Sequence, residues 1–172
     1  MRNFPETDER ESWNRRYRQG SHADFEPDPF LLSTYDRFID PLFPKGGAAL
    51  DIAGGLGRHA IWLAELRWKV TVVDISEVAF KKAKDKADER DVKIDFLVRD
   101  LRQFDPGREK YDMVLVFFYL QRDLFPQLVA LAPFESLTAT VTKKVPATEG
   151  VPLMTPAGVM ANGGGSPLAV NV

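Results

Sequence analysis

Apolar residues along the first 132 positions follow two alternating rhythms. Residues 6–18 are charged, with Trp13 and Tyr17 four apart and therefore on one face of a predicted helix. Gly20, Pro27 and Pro29 mark a loop, after which Leu31, Leu32, Tyr35, Phe38 and Ile39 recur at helical spacing over 30–43, ended by Pro41 and Pro44. Short apolar runs at 48–52, 69–74, 93–98 and 111–118 read as strands. Between and after them, 58–66, 76–90 and 122–131 carry helical patterns. Strands separated by helices predict an α/β fold with a mostly parallel sheet and helices on both faces. The almost unbroken apolar run at 111–118 belongs inside that sheet.

The pattern then changes. Residues 131–172 hold four charged side chains, Glu135, Lys143, Lys144 and Glu149, out of 23 basic and 25 acidic residues in the chain. Prolines at 146, 152, 156 and 167 interrupt any helix or central strand that starts there. Two parts follow: a folded unit over 1–132, and a low-charge tail over 133–172 with one candidate strand in 136–145 and poor order over most of 146–172. The 172 residues suffice for one core. The absence of cysteine excludes a disulfide framework, a thiolate metal site and a cysteine nucleophile, and the two histidines, His22 and His59, fit no metal motif. A net charge of −2 gives no basic footprint for nucleic acid. No apolar run approaches a membrane span and the first residues lack a signal-peptide core, so the expectation is a cytoplasmic protein.

Candidate chemistry begins at the first strand-to-helix turn. In open parallel sheets, ligands bind beyond the carboxyl ends of the strands. That rule brings together the turn 51–57 with Asp74, Asp100 and Phe117, each at a predicted strand end. Gly55-x-Gly57-x-x-Ala60 with Asp74 also fits a dinucleotide fingerprint. However, Asp51 would repel a pyrophosphate, and Asp100 offers a second carboxylate suited to an adenine amino group. A positively charged, phosphate-free nucleoside such as S-adenosylmethionine fits this set better than NAD.

Asp51-Ile52-Ala53-Gly54-Gly55-Leu56-Gly57 resembles the first motif of class I S-adenosylmethionine-dependent methyltransferases, a Rossmann-like fold. The segments 72–76, 98–101 and 111–114 resemble the later motifs, in order. Gly57-Arg58-His59 and the Trp13-Asn14-x-Arg16-Tyr17 helix are most similar to the tellurite-resistance and thiopurine methyltransferase branch. The resemblance covers about residues 12–132 and implies roles by position. Asp51, Ala53 and Gly55, with Gly57 in the same turn, would hold the methionine part of the cofactor. Asp74 would take the ribose hydroxyls, and Ile75 would pack on adenine. Asp100 and Leu101 would read the adenine edge, and Phe117 would border the sulfonium. Ala53 stands where many members have glycine, and a methyl group is small enough to fit there. The plainer readings put Trp13 and Tyr17 in packing against the sheet, His59 in a partly exposed structural role and Arg58 at the surface or behind the site.

The expected activity is methyl transfer to a small molecule, a thiol or a selenium or tellurium oxyanion, with no assigned catalytic base. The alternatives are a non-catalytic cofactor-binding or scaffold protein and an NAD-dependent oxidoreductase. Family members continue from the fourth strand through a helix into a Pro-Gly-Gly turn, a fifth strand and a closing antiparallel pair. Here Leu131-Ala132-Pro133 runs into Phe134-Glu135-Ser136, as a frameshifted or replaced C-terminus would. The closing strands are therefore expected to be atypical or missing, leaving the fourth strand at or near an exposed edge.

Overall fold

The computed structural model describes residues 6–21, 23–105, 107 and 110–119, and three later strands by their backbone. The elements are α1 (Glu6–Arg18), α2 (Pro29–Thr34), β1 (Ala48–Ile52), α3 (Arg58–Glu65), β2 (Lys69–Asp74), α4 (Glu77–Glu89), β3 (Ile94–Val98) and β4 (Met113–Phe117). The backbone strands are β5 (Leu137–Val141), β6 (Val159–Ala161) and β7 (Leu168–Val170). The sheet order is 3-2-1-4-5-6-7, parallel from β3 to β5 and antiparallel across β6 and β7.

The patterns explain the layers. Alternate residues of β4 face opposite ways: Met113, Leu115 and Phe117 pack with Leu31, Leu63 and Phe80, whereas Val114 and Val116 pack with Leu50, Ile52 and Val73. Burial on both faces is what a nearly unbroken apolar strand requires. The described helices α2, α3 and α4 cover the first face. Leu101, Phe104, Tyr111 and Tyr119, from the segments around β4, pack on the second. The helix expected over 122–131 lies outside the described residues.

Two differences from the sequence reading have clear causes. The segment expected as one helix over 30–43 starts at an Asp28 cap, whose carboxylate accepts from the Phe30 amide, and after Thr34 widens into a π-type turn over Tyr35–Ile39. The Asp40 amide donates to the Tyr35 carbonyl at 2.9 Å, five residues back. The Tyr35 hydroxyl accepts from Trp68 Nε1 at 3.0 Å, and its ring meets Trp62 edge-on at 4.9 Å. The second difference concerns the tail. β5 occupies the expected strand segment and covers β4, so β4 is an interior strand, and an antiparallel pair of only three residues each, β6 and β7, extends the sheet where the closing strands were expected to be atypical or missing. Apart from these two strands, the stretch read as poorly ordered lies outside the described residues. Among the described residues no helix is long and apolar enough to cross a membrane, and no group of three or more acidic, histidine or cysteine residues could hold a metal.

α1 is tied down by polar contacts as well as by Trp13 and Tyr17, which pack with Leu56, Ala79 and Val78. Ser76 caps α4 by accepting from the Ala79 amide at 3.1 Å, and donates its own hydroxyl proton to Asn14 Oδ1 at 2.7 Å. The same Asn14 oxygen accepts from the Val78 amide at 3.4 Å, and Asn14 is buried. Replacing Asn14 by Ala leaves these donors without that acceptor, and is expected to cost about 1–3 kcal/mol of unfolding free energy in urea titrations.

Candidate functional site

The carboxyl ends of the parallel strands open into one cleft of about 460 Å³. This is the position that strand order dictates, because the chain leaves β1 toward β2 on one side and β4 lies on the other. Eight of the nine candidate residues line the cleft: Asp51, Ala53 and Gly55 from the first turn, Asp74 and Ile75 from the end of β2, Asp100 and Leu101 after β3, and Phe117 of β4. Gly57 is not among the lining residues. It caps α3 in a left-handed conformation, φ +70°, with the turn packed against Ala83 and Phe96.

The turn is shaped by close approach. A Cβ on Gly54 would lie 2.7 Å from Asp51 Oδ2, so only glycine lets the backbone pass that carboxylate. The Gly55 amide donates to Asp74 Oδ2 at 2.9 Å, and the Ser76 amide donates to Asp74 Oδ1 at 2.8 Å. Asp74 thus fixes the turn by accepting from the amides of Gly55 and Ser76, with the Ile75 amide also acting on its carboxylate. Ala53 sits at φ +54°, the left-handed region. Its departure from glycine is therefore costly in the backbone, by about 1–2 kcal/mol, rather than in side-chain volume.

The electrostatics of the first turn are unusual. Asp51 is 1% exposed, and neither carboxylate oxygen has a hydrogen-bond partner. Burial, helped by the nearby Asp74 carboxylate and opposed by Arg58, pushes its pKa up to about 7. Burial also raises Asp74, against the lowering effect of the backbone amides it accepts from. Two buried acidic groups in one wall favour positive charge beside them. Asp100 is different. Arg102 donates to both its oxygens, from Nε at 3.0 and 2.9 Å and from Nη2 at 2.6 Å, and the Arg102 amide adds a bond at 2.9 Å. That fork holds Asp100 below the usual carboxylate range and fills its acceptor positions.

Several lining residues were assigned elsewhere by the sequence reading. Trp13 and Tyr17, read as packing residues, do pack with Leu56, Ala79 and Val78, and they also line the cleft from α1, with the Tyr17 hydroxyl against Gly55. Helical spacing put both on one face but could not tell whether that face met the sheet or its open end. His59, expected to be partly exposed, is 3% exposed, its ring 4.1 Å from that of Phe117. Burial, reinforced by Arg58, pushes its pKa down to about 3, so the imidazole is neutral. Arg58, expected at the surface or behind the site, lines the cleft. Its place directly after the glycine turn was the signal available for it. Phe118, 56% exposed and at φ +58°, forms part of the rim. A bulky side chain held in that region is the kind of strain that collects at ligand sites.

Residues 49–132 match the methyltransferase-domain family. No curated protein matches the chain. Among solved structures, the chain is similar to one described for the conversion of a disulfide bond into a thioacetal group during echinomycin biosynthesis, with a TM-score of 0.62 and 24% identity over 77% of this chain and 59% of that one. It is similar to a DhpI–SAM–HEP complex with a TM-score of 0.59 and 19% identity, covering 83% of this chain and 69% of that one. For TehB from Haemophilus influenzae the TM-score is 0.57 and the identity 14%, covering 73% and 44%. At these identities the likeness is one of fold. The chain spans 44–69% of the length of these three proteins.

The unpartnered Asp51 has a consequence for stability. Its carboxyl holds a proton in the folded state between its ordinary pKa and about 7, where the unfolded chain has lost it. The folded state binds more protons in that window, so Asp51 makes the protein less stable as pH rises through it. Asp51→Asn is expected to melt higher than the wild type at about pH 8 and higher by a clearly smaller margin at about pH 5, because the destabilisation grows across that window. Melting curves at the two pH values check this.

Proposed function

We infer, from the match of residues 49–132 to a methyltransferase-domain family, that the protein uses S-adenosylmethionine to methylate a small-molecule acceptor. The observation that carries the reading is Asp51, a buried carboxylate with no partner, beside Asp74 in the wall of a cleft of about 460 Å³. Such a wall repels the pyrophosphate of a dinucleotide and attracts a ligand with fixed positive charge. S-adenosylmethionine, when bound, supplies a methyl group already activated by its sulfonium.

The chain's own part is binding, orientation and exclusion of water. Asp51 takes the α-ammonium, and the Ala53–Gly55 backbone bounds the methionine part. Asp74, a carboxylate at the end of β2 in the cleft wall, takes the ribose diol. Ile75 packs on the adenine face, and the Leu101 backbone reads the adenine edge. Asp100 can add to that reading only where Arg102 yields one of its bonds, because the fork occupies the carboxylate. Phe117 borders the sulfonium, where an aromatic face contributes about 0.5–2 kcal/mol.

Two features bear on the acceptor. Among the described lining residues, the carboxylates Glu9, Asp24, Asp51, Asp74 and Asp100 face one cation, Arg58. This charge balance favours a thiol over a selenium or tellurium oxyanion. His59, with its pKa pushed down to about 3, is too weak a base to deprotonate a reluctant nucleophile. An acceptor that ionises readily by itself, again a thiol, needs no such base. The assignment to the tellurite-resistance and thiopurine branch rests on the Trp13–Tyr17 helix and the Arg58-His59 pair, both of which line the cleft in part.

Calorimetric titration tests the reading, with S-adenosylmethionine expected to saturate and NADH to give no binding. Asp74→Ala removes a charged acceptor from two ribose hydroxyls, each bond worth about 1.5–3 kcal/mol, and is expected to weaken cofactor binding at least tenfold. Unchanged affinity in that variant would remove the assignment of Asp74. Turnover is measured with a thiol panel against selenite and tellurite.

A further inference from the structure

Asp74 ends β2 and Asp100 follows the neighbouring β3, and both line the cleft, yet they are held in different ways. Asp74 accepts from backbone amides, which stay where the turn puts them. Asp100 is gripped by a side chain two positions along the chain. Its Oδ2 accepts from Arg102 Nε at 2.9 Å and from Nη2 at 2.6 Å. Its Oδ1 accepts from Nε at 3.0 Å and from the Arg102 amide at 2.9 Å. The amide bond belongs to a turn that also joins the Gln103 amide to the Asp100 carbonyl at 3.0 Å. The guanidinium is not fixed in that way, because a side chain swings between rotamers while the backbone stays in place. The Arg102 side chain is 41% exposed and that of Asp100 only 6%, so the grip reaches from solvent into the wall.

A second carboxylate stands beside it. Glu9 Oε2 of α1 lies 3.5 Å from the same Nη2, an ion-pair distance too long for a strong hydrogen bond. Glu9 also lines the cleft, so Arg102 links two parts of its wall, α1 and the segment after β3. A guanidinium that leaves Asp100 therefore has a carboxylate to move onto and keeps a charged partner throughout. The oxygen it vacates first is Oδ2, which it holds by side-chain bonds. A ligand N–H arriving there replaces one donor by another, and the buried oxygen is never left bare.

We propose that Arg102 is an internal competitor at the purine end of the cleft: it holds Asp100 until an adenine amino group donates to that carboxylate, and then transfers to Glu9. This rests on the S-adenosylmethionine reading, and what it adds is a residue that opposes the cofactor rather than one that holds it. The same competition acts on S-adenosylhomocysteine, the cofactor after methyl transfer, whose adenine is unchanged. Arg102 thus shortens the residence of the spent cofactor, and Glu9 sets how readily Arg102 yields.

The test is calorimetry with S-adenosylhomocysteine and its analogue carrying hydrogen in place of the adenine amino group. Neither ligand has the sulfonium charge, so a change in protein charge alone leaves the ratio of their affinities nearly constant. That ratio is the readout. Arg102→Met keeps the apolar stem and removes the competitor, and is expected to raise the ratio in favour of the amino ligand about tenfold. A residue that only orients Asp100 would give the opposite sign. Glu9→Gln removes the alternative partner and keeps Arg102 on Asp100, and is expected to lower the ratio about threefold, as loss of a partly exposed ion pair would. The proposal is overturned if Arg102→Met leaves the ratio unchanged or lowers it, or if Glu9→Gln leaves it unchanged or raises it. Should Arg102→Met fail to fold, the Glu9→Gln ratio alone decides. A wild type that binds neither ligand would overturn the cofactor reading itself, which sets that failure apart.

Discussion

Everything about the cleft depends on one unfavourable placement: a carboxylate, Asp51, held at 1% exposure with no hydrogen-bond partner on either oxygen. A buried charge of that kind costs several kcal/mol unless it is neutralised. The chain builds around it rather than satisfying it. Gly54 passes close beside it, Asp74 adds like charge, and Arg58 acts on it electrostatically without a hydrogen bond. The result is a pocket in which a proton fills the place of a cationic ligand. In the proposed function, protonation of Asp51 and binding of the cofactor's positive charge are then alternatives.

The surrounding architecture makes that placement possible. β1 lies between β2 and β4 in the parallel sheet, so Asp51 emerges from an interior strand whose neighbours shut out water on both sides. Asp112 fixes the register at the opposite end, its carboxylate accepting from the Ala48 amide at 2.8 Å and its own amide donating back to the Ala48 carbonyl. α1, held through Asn14 to the cap of α4, brings Trp13 and Tyr17 over the open side. A rigid sheet thus sets the carboxylates, and a more lightly anchored helix closes over them.

Much of this was legible in the sequence because it depends on local rhythm. The parallel sheet follows from strand runs alternating with helical patterns, and the strand ends named eight of the residues that line the cleft, from Asp51 to Phe117. Other features depend on what packs against what. The π-type turn after Thr34 follows from Tyr35 reaching Trp68, a contact made across more than thirty residues of chain. Arg102 covering Asp100 is a rotamer choice, invisible in a motif. His59 looked like an exposed first-turn residue until Phe117 was placed against its ring. In the tail, β6 and β7 are three residues each, too short for alternation to reveal. Gly57 illustrates the opposite error: a motif glycine that serves the turn's conformation and lies outside the cleft lining.

If Asp51 holds a proton until a cation replaces it, cofactor binding must expel that proton. Calorimetric titration with S-adenosylmethionine at about pH 6.5, in buffers of different ionisation enthalpy, measures the exchange directly. The account predicts release of up to about one proton per cofactor bound, with release fading above about pH 8 and absent in Asp51→Asn. Binding with no net proton release below neutral pH, or with the same release in that variant, would contradict it.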